Sequence, residues 1–337
     1  MMMPVSQFIS NLGYVAICIL GGYMAIIKAI AVGDILAFIQ YVRQFNQPIT
    51  QAANIAGTLQ SFAAAAERVF EFLGEEEETQ EAAQPIKIND VSGQIVFDNI
   101  SFGYNPEKMI IKEFSVYIKS GQKVALVGPT GAGKTTLVKL LMRFYDVNKG
   151  SIKIDGVDIR EMRRGDLRNI FGMVLQDTWL FNGTIKENIR YGNANATDEE
   201  VIAAAKTAYV DHFVHTLPNN YDMVLNEEAS NISQGQKQLL TIARAVLANP
   251  KILILDEATS SVDTRTEILI QKAMEKLMKN RTSFIIAHRL STIRNADIIL
   301  VIRDGAIVEQ GNHEDLMAAK GFYTSLYKSQ FETGLVD

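Results

Sequence analysis

Eight residues constrain this chain more than any other feature: Gly128-Pro129-Thr130-Gly131-Ala132-Gly133-Lys134-Thr135, with the apolar run Lys123–Val127 before them and the helical pattern Thr136–Phe144 after. They fit G-x-x-x-x-G-K-[ST] in the strand, loop and helix setting that gives this pattern its meaning. Glycines let backbone N–H groups converge on phosphate oxygens, and the helix N-terminus adds partial positive charge. Lys134 is then expected to reach the β/γ oxygens and the Thr135 hydroxyl to ligate Mg²⁺, with Thr136 continuing the phosphate site into the helix. A Gly-rich turn with an incidental lysine would not carry both flanks.

Cleaving a nucleoside triphosphate also needs an acid for Mg²⁺ and a group that positions water. Lys251-Ile-Leu-Ile-Leu-Asp256-Glu257 reads as a continuous apolar strand, of the kind covered on both faces, ending in two carboxylates. Neighbouring residues at a strand end point different ways, so the roles can divide. Asp256 is expected to bind Mg²⁺ directly or through water, and Glu257 to orient or deprotonate the attacking water. An acidic strand end meeting a turn is common by itself; its pairing with the phosphate loop is what gives it a role.

The rest of the chain divides by composition. Of 337 residues 47% are hydrophobic, more than one average domain needs. A formal charge of -5 with no basic block excludes the electrostatic footprint of a nucleic-acid binder. The single cysteine, Cys18, lies in an apolar run, which excludes an intramolecular disulfide and a cysteine-based metal site and suggests a buried small hydrophobe.

Met1 to Ile27 carries no charge, and Phe8–Ile27 supplies the ~20 apolar-dominated positions of a membrane helix. The positive start of a signal peptide is absent. After the short connection Lys28–Asp34, Ile35 to Leu59 forms a second long segment bearing Gln40, Arg43, Gln44, Asn46, Gln47, Gln51 and Asn54. Polar side chains in a spanning helix face a bundle interior or a watery cavity, so Arg43 and its neighbours are expected to line a pathway. From Gln51 onward a soluble stalk is an equally good reading. Helix-favouring residues continue from Ala63 to Phe72, and Gly74 with the acidic run Glu75–Glu78 marks a solvated linker. From about Ile86 short β-rich runs alternate with helical patterns, the mark of an α/β domain.

Between the two chemical motifs lies Asn231-Ile-Ser-Gln-Gly-Gln-Lys-Gln238, then a helical run stopped by Ala248-Asn-Pro250. Ser233 and Gln236 have capping-box spacing, placing the serine at a helix N-terminus able to face an anion. The octet resembles the signature loop of ATP-binding cassette (ABC) proteins, usually Leu-Ser-Gly-Gly-Gln. Ile232 and Gln234 replace the Leu and the first Gly; Ser233, Gly235 and Gln236 remain.

The resemblance runs from about Gly93 to Phe331 and implies the family's site. Tyr104 in Phe102-Gly-Tyr104 looks like the aromatic that stacks on adenine. Gln176 matches the glutamine loop, which reaches Mg²⁺ and senses the membrane domain. Asp263 in Ser261-Val-Asp263 matches the loop that crosses the dimer interface, and His288 the switch histidine at the γ-phosphate. The family pairs two such domains head to tail, so Ser233, Gly235, Gln236 and Asp263 would serve the partner's ATP. The implied reaction is in-line attack of water, with Lys134, Mg²⁺ and the opposing Ser233 helix stabilising charge and Glu257 and His288 aligning the nucleophile.

The implied fold class is α/β: a P-loop NTPase ABC cassette, a mixed sheet core with antiparallel β and helical subdomains, preceded by a two-helix all-α transmembrane segment. Expected boundaries are 1–73 for a partial transmembrane domain (helices about 8–28 and 35–60, with a cytoplasmic extension), 74–92 for a linker, 93–331 for the ATP-binding domain and 332–337 for a tail. Fused N-terminal helices, together with Asn182-Gly-Thr-Ile-Lys-Glu-Asn188-Ile and Ile285–Ile293, resemble bacterial multidrug and lipid exporters rather than importers or soluble relatives. Such half-transporters have six membrane helices, so the chain resembles the last two plus the cassette, and a truncated product is expected. The implied partners are a second half-transporter, identical or sister, the lipid bilayer, and a transported amphipathic small molecule or lipid; nucleic acid is not among them. The implied location is the cell membrane, multi-pass, with the cassette in the cytoplasm. A membrane-tethered ATPase without transport and a nucleotide-binding regulatory half are the alternatives.

Overall fold

The computed structural model describes residues 2–105, 107–175, 178–256, 262–286 and 290–329, without the side chains of residues 2–7, 9, 50, 53, 290 and 291. It divides into two compact units, Met1–Thr79 and Gln80–Asp337.

The first unit is a helical hairpin of α1 (Met2–Ile26) and α2 (Val32–Leu73). Its turn contains Lys28 at φ 55°, and Asp34 accepts a hydrogen bond from the Ala31 N–H at 2.9 Å to start α2. The helices approach closely at Gly21, where a Cβ would lie 3.1 Å from the Ile35 side chain. α2 runs unbroken past Pro48 to Leu73, and the Gly74 N–H caps it by donating to Phe70 and Glu71 carbonyls. Among the described residues no helix is both long and apolar enough to cross a membrane. The amides along α2 dilute its apolar surface. Cys18 is exposed rather than buried, since a two-helix hairpin covers only one face of each helix.

The second unit begins with β1 (Ile95–Phe102), β2 (Ile111–Ile118) and β3 (Lys123–Val127), then α3 (Lys134–Leu141), β4 (Lys149–Ile154), β5 (Val157–Asp158), α4 (Arg164–Arg168) and β6 (Phe171–Val174). A helical stretch follows: β7 (Gly183–Thr184), α5 (Ile185–Arg190), α6 (Asp198–Thr207), α7 (Asp211–Val214), β8 (Val224–Leu225) and α8 (Gln234–Ala248). The chain closes with β9 (Ile252–Asp256), α9 (Thr264–Met278), β10 (Thr282–Ile286), α10 (Leu290–Arg294), β11 (Ile298–Arg303), β12 (Ala306–Gly311), α11 (His313–Ala319) and α12 (Phe322–Tyr327).

A six-stranded sheet of order β12-β11-β3-β10-β9-β6 forms the centre, parallel except for β12. Its five parallel strands are largely buried on both faces, and the period of two decides what each residue meets. Val124 and Leu126 of β3 join one core with the four-stranded antiparallel sheet β2-β1-β4-β5, while Ala125 and Val127 face the opposite core beneath α10 to α12. Phe97 of β1 ties the two sheets together through edge-on contacts with Phe114 and Phe284 at 5.4 and 6.3 Å. Each such fully buried side chain contributes about 1.5–3 kcal/mol. A further core under β6, β9 and β10 is built by α5, α6, α8 and α9.

Register fixes the site. Ile286 of β10 pairs with Leu126 of β3 on one side and Asp256 of β9 on the other, so three parallel strands end level. In parallel sheets the edge formed by the carboxyl ends of the strands is where ligands bind.

A polar knot holds the helical part. Asn188 is fully buried: its Nδ2 donates to the carbonyls of Phe181 and Thr184, and its Oδ1 accepts from the Phe181 N–H and from Arg244. Arg244 also donates to the Asn188 and Trp179 carbonyls, and burial lowers its pKa to about 10. Asn188→Ala is expected to cost about 2–3 kcal/mol, because it strands buried donors and acceptors. Denaturant unfolding of the full chain measures this; a loss below ~0.5 kcal/mol, the scatter of ordinary surface substitutions, would contradict it.

Candidate functional site

Gly128, immediately after β3, has φ +156° and packs so closely that a Cβ would lie 2.2 Å from the Ile302 carbonyl oxygen. Gly133, at φ +103°, is the N-cap of α3, and a Cβ there would come within 2.8 Å of the Ile111 side chain. Only glycine fits either position. Between them Pro129, Thr130 and Gly131 are exposed, Ala132 is buried, and the Ala132 N–H donates to the Pro129 carbonyl at 3.2 Å. Thr135 is exposed at the start of α3 while Thr136 turns inward. The loop therefore presents backbone and one hydroxyl outward, on a helix whose first N–H groups lack intrahelical acceptors.

Lys134 folds back over this loop, its ammonium donating to the Gly128 and Pro129 carbonyls at 2.7 and 3.0 Å. Partial burial lowers its pKa from the ordinary lysine value, and the negative charge of Asp256 opposes that shift. Lys134 and Asp256 thus feel one another across the strand ends, as the level register requires. Thr135 and Asp256 offer a hydroxyl and a carboxylate, hard oxygen donors that suit Mg²⁺, which takes one or two carboxylates and completes its shell with phosphates and water. Gln176, Glu257, Ser261 and His288 lie outside the described residues.

Tyr104 is half-exposed, beside Phe102 at 5.1 Å and Tyr145 at 4.9 Å, both nearly perpendicular to it. Sequence reasoning found Tyr104 and missed Tyr145, which is carried by Arg143-Phe-Tyr-Asp directly after the phosphate-loop helix.

Ser233 caps α8 as its spacing predicts: its Oγ accepts from the Gln236 N–H, and Gln236 Oε1 accepts from the Ser233 N–H at 2.9 Å. Gly235 is buried against the following helix, where a Cβ would lie 2.4 Å from Thr266 and 2.9 Å from Val262. That contact backs the signature loop onto Asp263, the N-cap of α9, whose carboxylate accepts from the Thr266 N–H; this bond, first of all, lowers its pKa. Ile232 is buried in the helical core. Gln234, where the family pattern has glycine, donates to the Thr178 hydroxyl at 3.2 Å, two residues past Gln176. No hydrogen bond among the described residues joins Ser233, Gly235 or Gln236 to Gly128–Thr136.

A parallel sheet, a glycine-shaped loop opening a helix, and a carboxylate level with the loop lysine define a P-loop nucleoside-triphosphate-binding domain. Residues 111–260 match the ABC transporter family. The chain carries an ABC transporter ATP-binding domain, of the class that hydrolyses ATP, with the ABC cassette fold. It is 54% identical over 326 residues to a fatty acid ABC transporter ATP-binding/permease protein of Mycobacterium bovis, covering 97% of this chain and 51% of that protein. It is 42% identical over 329 residues to an ATP-dependent lipid A-core flippase of Syntrophus aciditrophicus, covering 98% and 55%. Among solved structures it is similar to a bacterial Atm1-family ABC exporter with ATP bound, with a TM-score of 0.72, 37% identity, and coverage of 96% of this chain and 57% of that one. The chain spans about half the length of the curated relatives it matches.

Proposed function

We propose that this chain is the ATP-hydrolysing subunit of an ABC exporter moving an amphipathic small molecule or lipid across the cell membrane. In this reading its N-terminal hairpin is part of the transmembrane domain and its cassette is cytoplasmic. The observation that carries the ATPase part is the register that ends β3, β9 and β10 level, placing Asp256 at the sheet edge from which the Lys134 loop departs. The fatty-acid transporter and the lipid A-core flippase among its relatives support the substrate class.

At the site, Lys134 leaves its two carbonyls for the phosphate oxygens, and the N–H groups of the loop and the start of α3 take the remaining charge. Mg²⁺ held by Thr135 and Asp256, with Gln176 completing its reach, would neutralise the β and γ phosphates. Glu257 orients or deprotonates water, and His288 supports the attack at the γ-phosphorus. The Ser233 cap, with Gly235, Gln236 and Asp263, faces the nucleotide of a second cassette, and Tyr104 stacks on adenine.

The test is complementation in trans. Chains carrying Lys134→Ala and chains carrying Ser233→Arg are each expected to be inactive, and their mixture to regain about a quarter of wild-type ATP hydrolysis. Half of the dimers are then mixed, and each mixed dimer has one of its two composite sites intact. Inactive single variants whose mixture stays inactive would sink the head-to-tail site.

A further inference from the structure

We propose that Tyr145 is a positioning residue for the nucleotide base, holding Tyr104 upright from the corner that follows the phosphate-loop helix. This rests on the reading of Tyr104 as the base platform. A stacking residue helps only if its ring is already oriented when the base arrives, because ordering a rotatable side chain costs part of the binding energy. The Tyr104 ring is 48% exposed, so the body of the protein holds it weakly. Two rings brace it edge to face: Phe102 of β1, 5.1 Å away, and Tyr145, 4.9 Å away at 81°, and of the two only Tyr145 comes from the corner after the phosphate-loop helix.

The same corner grips the backbone beneath Tyr104. The Gly103 N–H donates to Asn148 Oδ1 at 2.8 Å, and the Asn148 N–H donates to the Ser101 carbonyl at 3.0 Å. Gly103 is needed there, since a Cβ would lie 2.4 Å from the Lys108 carbonyl oxygen. The corner is itself anchored. Arg143, 3% exposed, pairs with Asp146 at 2.9 Å and donates to the Ile159 and Met162 carbonyls at 3.3 and 3.0 Å. The base platform and the phosphate loop therefore share one rigid support, because Arg143 follows directly from α3. A purine nucleotide bound by its phosphates meets a ring already set for stacking.

The experiment compares binding of Mg-ATP and inorganic tripolyphosphate to the full chain by calorimetry. Tyr145→Ala is expected to weaken ATP roughly tenfold, the size of a lost base–aromatic stack, and to leave tripolyphosphate unchanged. Tyr145→Phe is expected to bind ATP like wild type, since the ring and not the hydroxyl makes the contact. Equal weakening of both ligands by Tyr145→Ala, no effect on either, or failure of Phe to restore binding would overturn the proposal. Tyr104→Ala and Lys134→Ala separate the layers beneath it. If Tyr104→Ala leaves ATP affinity intact, the platform reading fails and this inference with it; if Lys134→Ala leaves both ligands bound, the nucleotide site itself is misplaced.

Discussion

Lys134→Ala is expected to reduce ATP hydrolysis by at least ~10²-fold, the loss usual when one preorganised charge-stabilising donor is removed. In the structure the Lys134 ammonium already bridges the two carbonyls that open the phosphate loop, at 2.7 and 3.0 Å. Its ammonium is therefore held at the loop, and partial burial there lowers its pKa. Without it, triphosphate at the loop would meet the negative charge of Asp256 at the neighbouring strand end without the lysine's positive charge. Lys134→Met, which keeps the aliphatic stem, should fail as completely as Lys134→Ala, because charge and not packing carries the effect. Phosphate release from Mg-ATP measures both variants; Lys134→Met retaining more than a tenth of wild-type activity would refute the role.

What could be read from the sequence is what is encoded within a few residues. The phosphate loop declares itself because glycine, lysine and threonine sit between a strand and a helix, and the structure puts β3 and α3 on those flanks. The signature serine declares itself through its spacing to Gln236, and the capping box forms. Asn249 in the left-handed region followed by Pro250 ends α8 at the residue where the sequence stops it. The mixed fold, too, followed from strand and helix alternation combined with the family resemblance.

Contacts made by residues far apart in sequence were not legible. That β10 lies between β3 and β9, bringing Asp256 level with the loop, depends on register between runs separated by over a hundred residues. Tyr145 against Tyr104, and Arg244 against Asn188, join side chains that no local pattern couples. Gln234 read as a departure from the family pattern, and only its hydrogen bond to Thr178 shows where the extra side chain goes. At the N-terminus the helices were legible from long apolar stretches, but the exposure of Cys18 was not: burial needs neighbours, and α1 has only α2 beside it within its unit.

Glu257→Gln is expected to keep ATP affinity within about twofold while lowering turnover by ~10²–10⁴-fold, the range for removal of a general base. The argument starts from β9. Its four apolar residues are buried, it pairs in register with β10, and Asp256 closes it at the level of the phosphate loop. Asp256 thus ends β9 at the edge where the γ-phosphate is expected, and Glu257 follows it in the sequence. Glutamine keeps the size of that side chain and its capacity to hydrogen-bond water, and loses only the ability to take a proton. In the proposed site, binding rests on Lys134, the loop N–H groups and Tyr104, while Glu257 acts on water. A cassette that binds but cannot hydrolyse should accumulate in the ATP-bound pair, so gel filtration with Mg-ATP is expected to show a stable dimer for Glu257→Gln and a transient one for wild type. Near-wild-type phosphate release from the variant would remove Glu257 from the base role. Loss of ATP affinity in parallel with turnover would make it a binding residue instead.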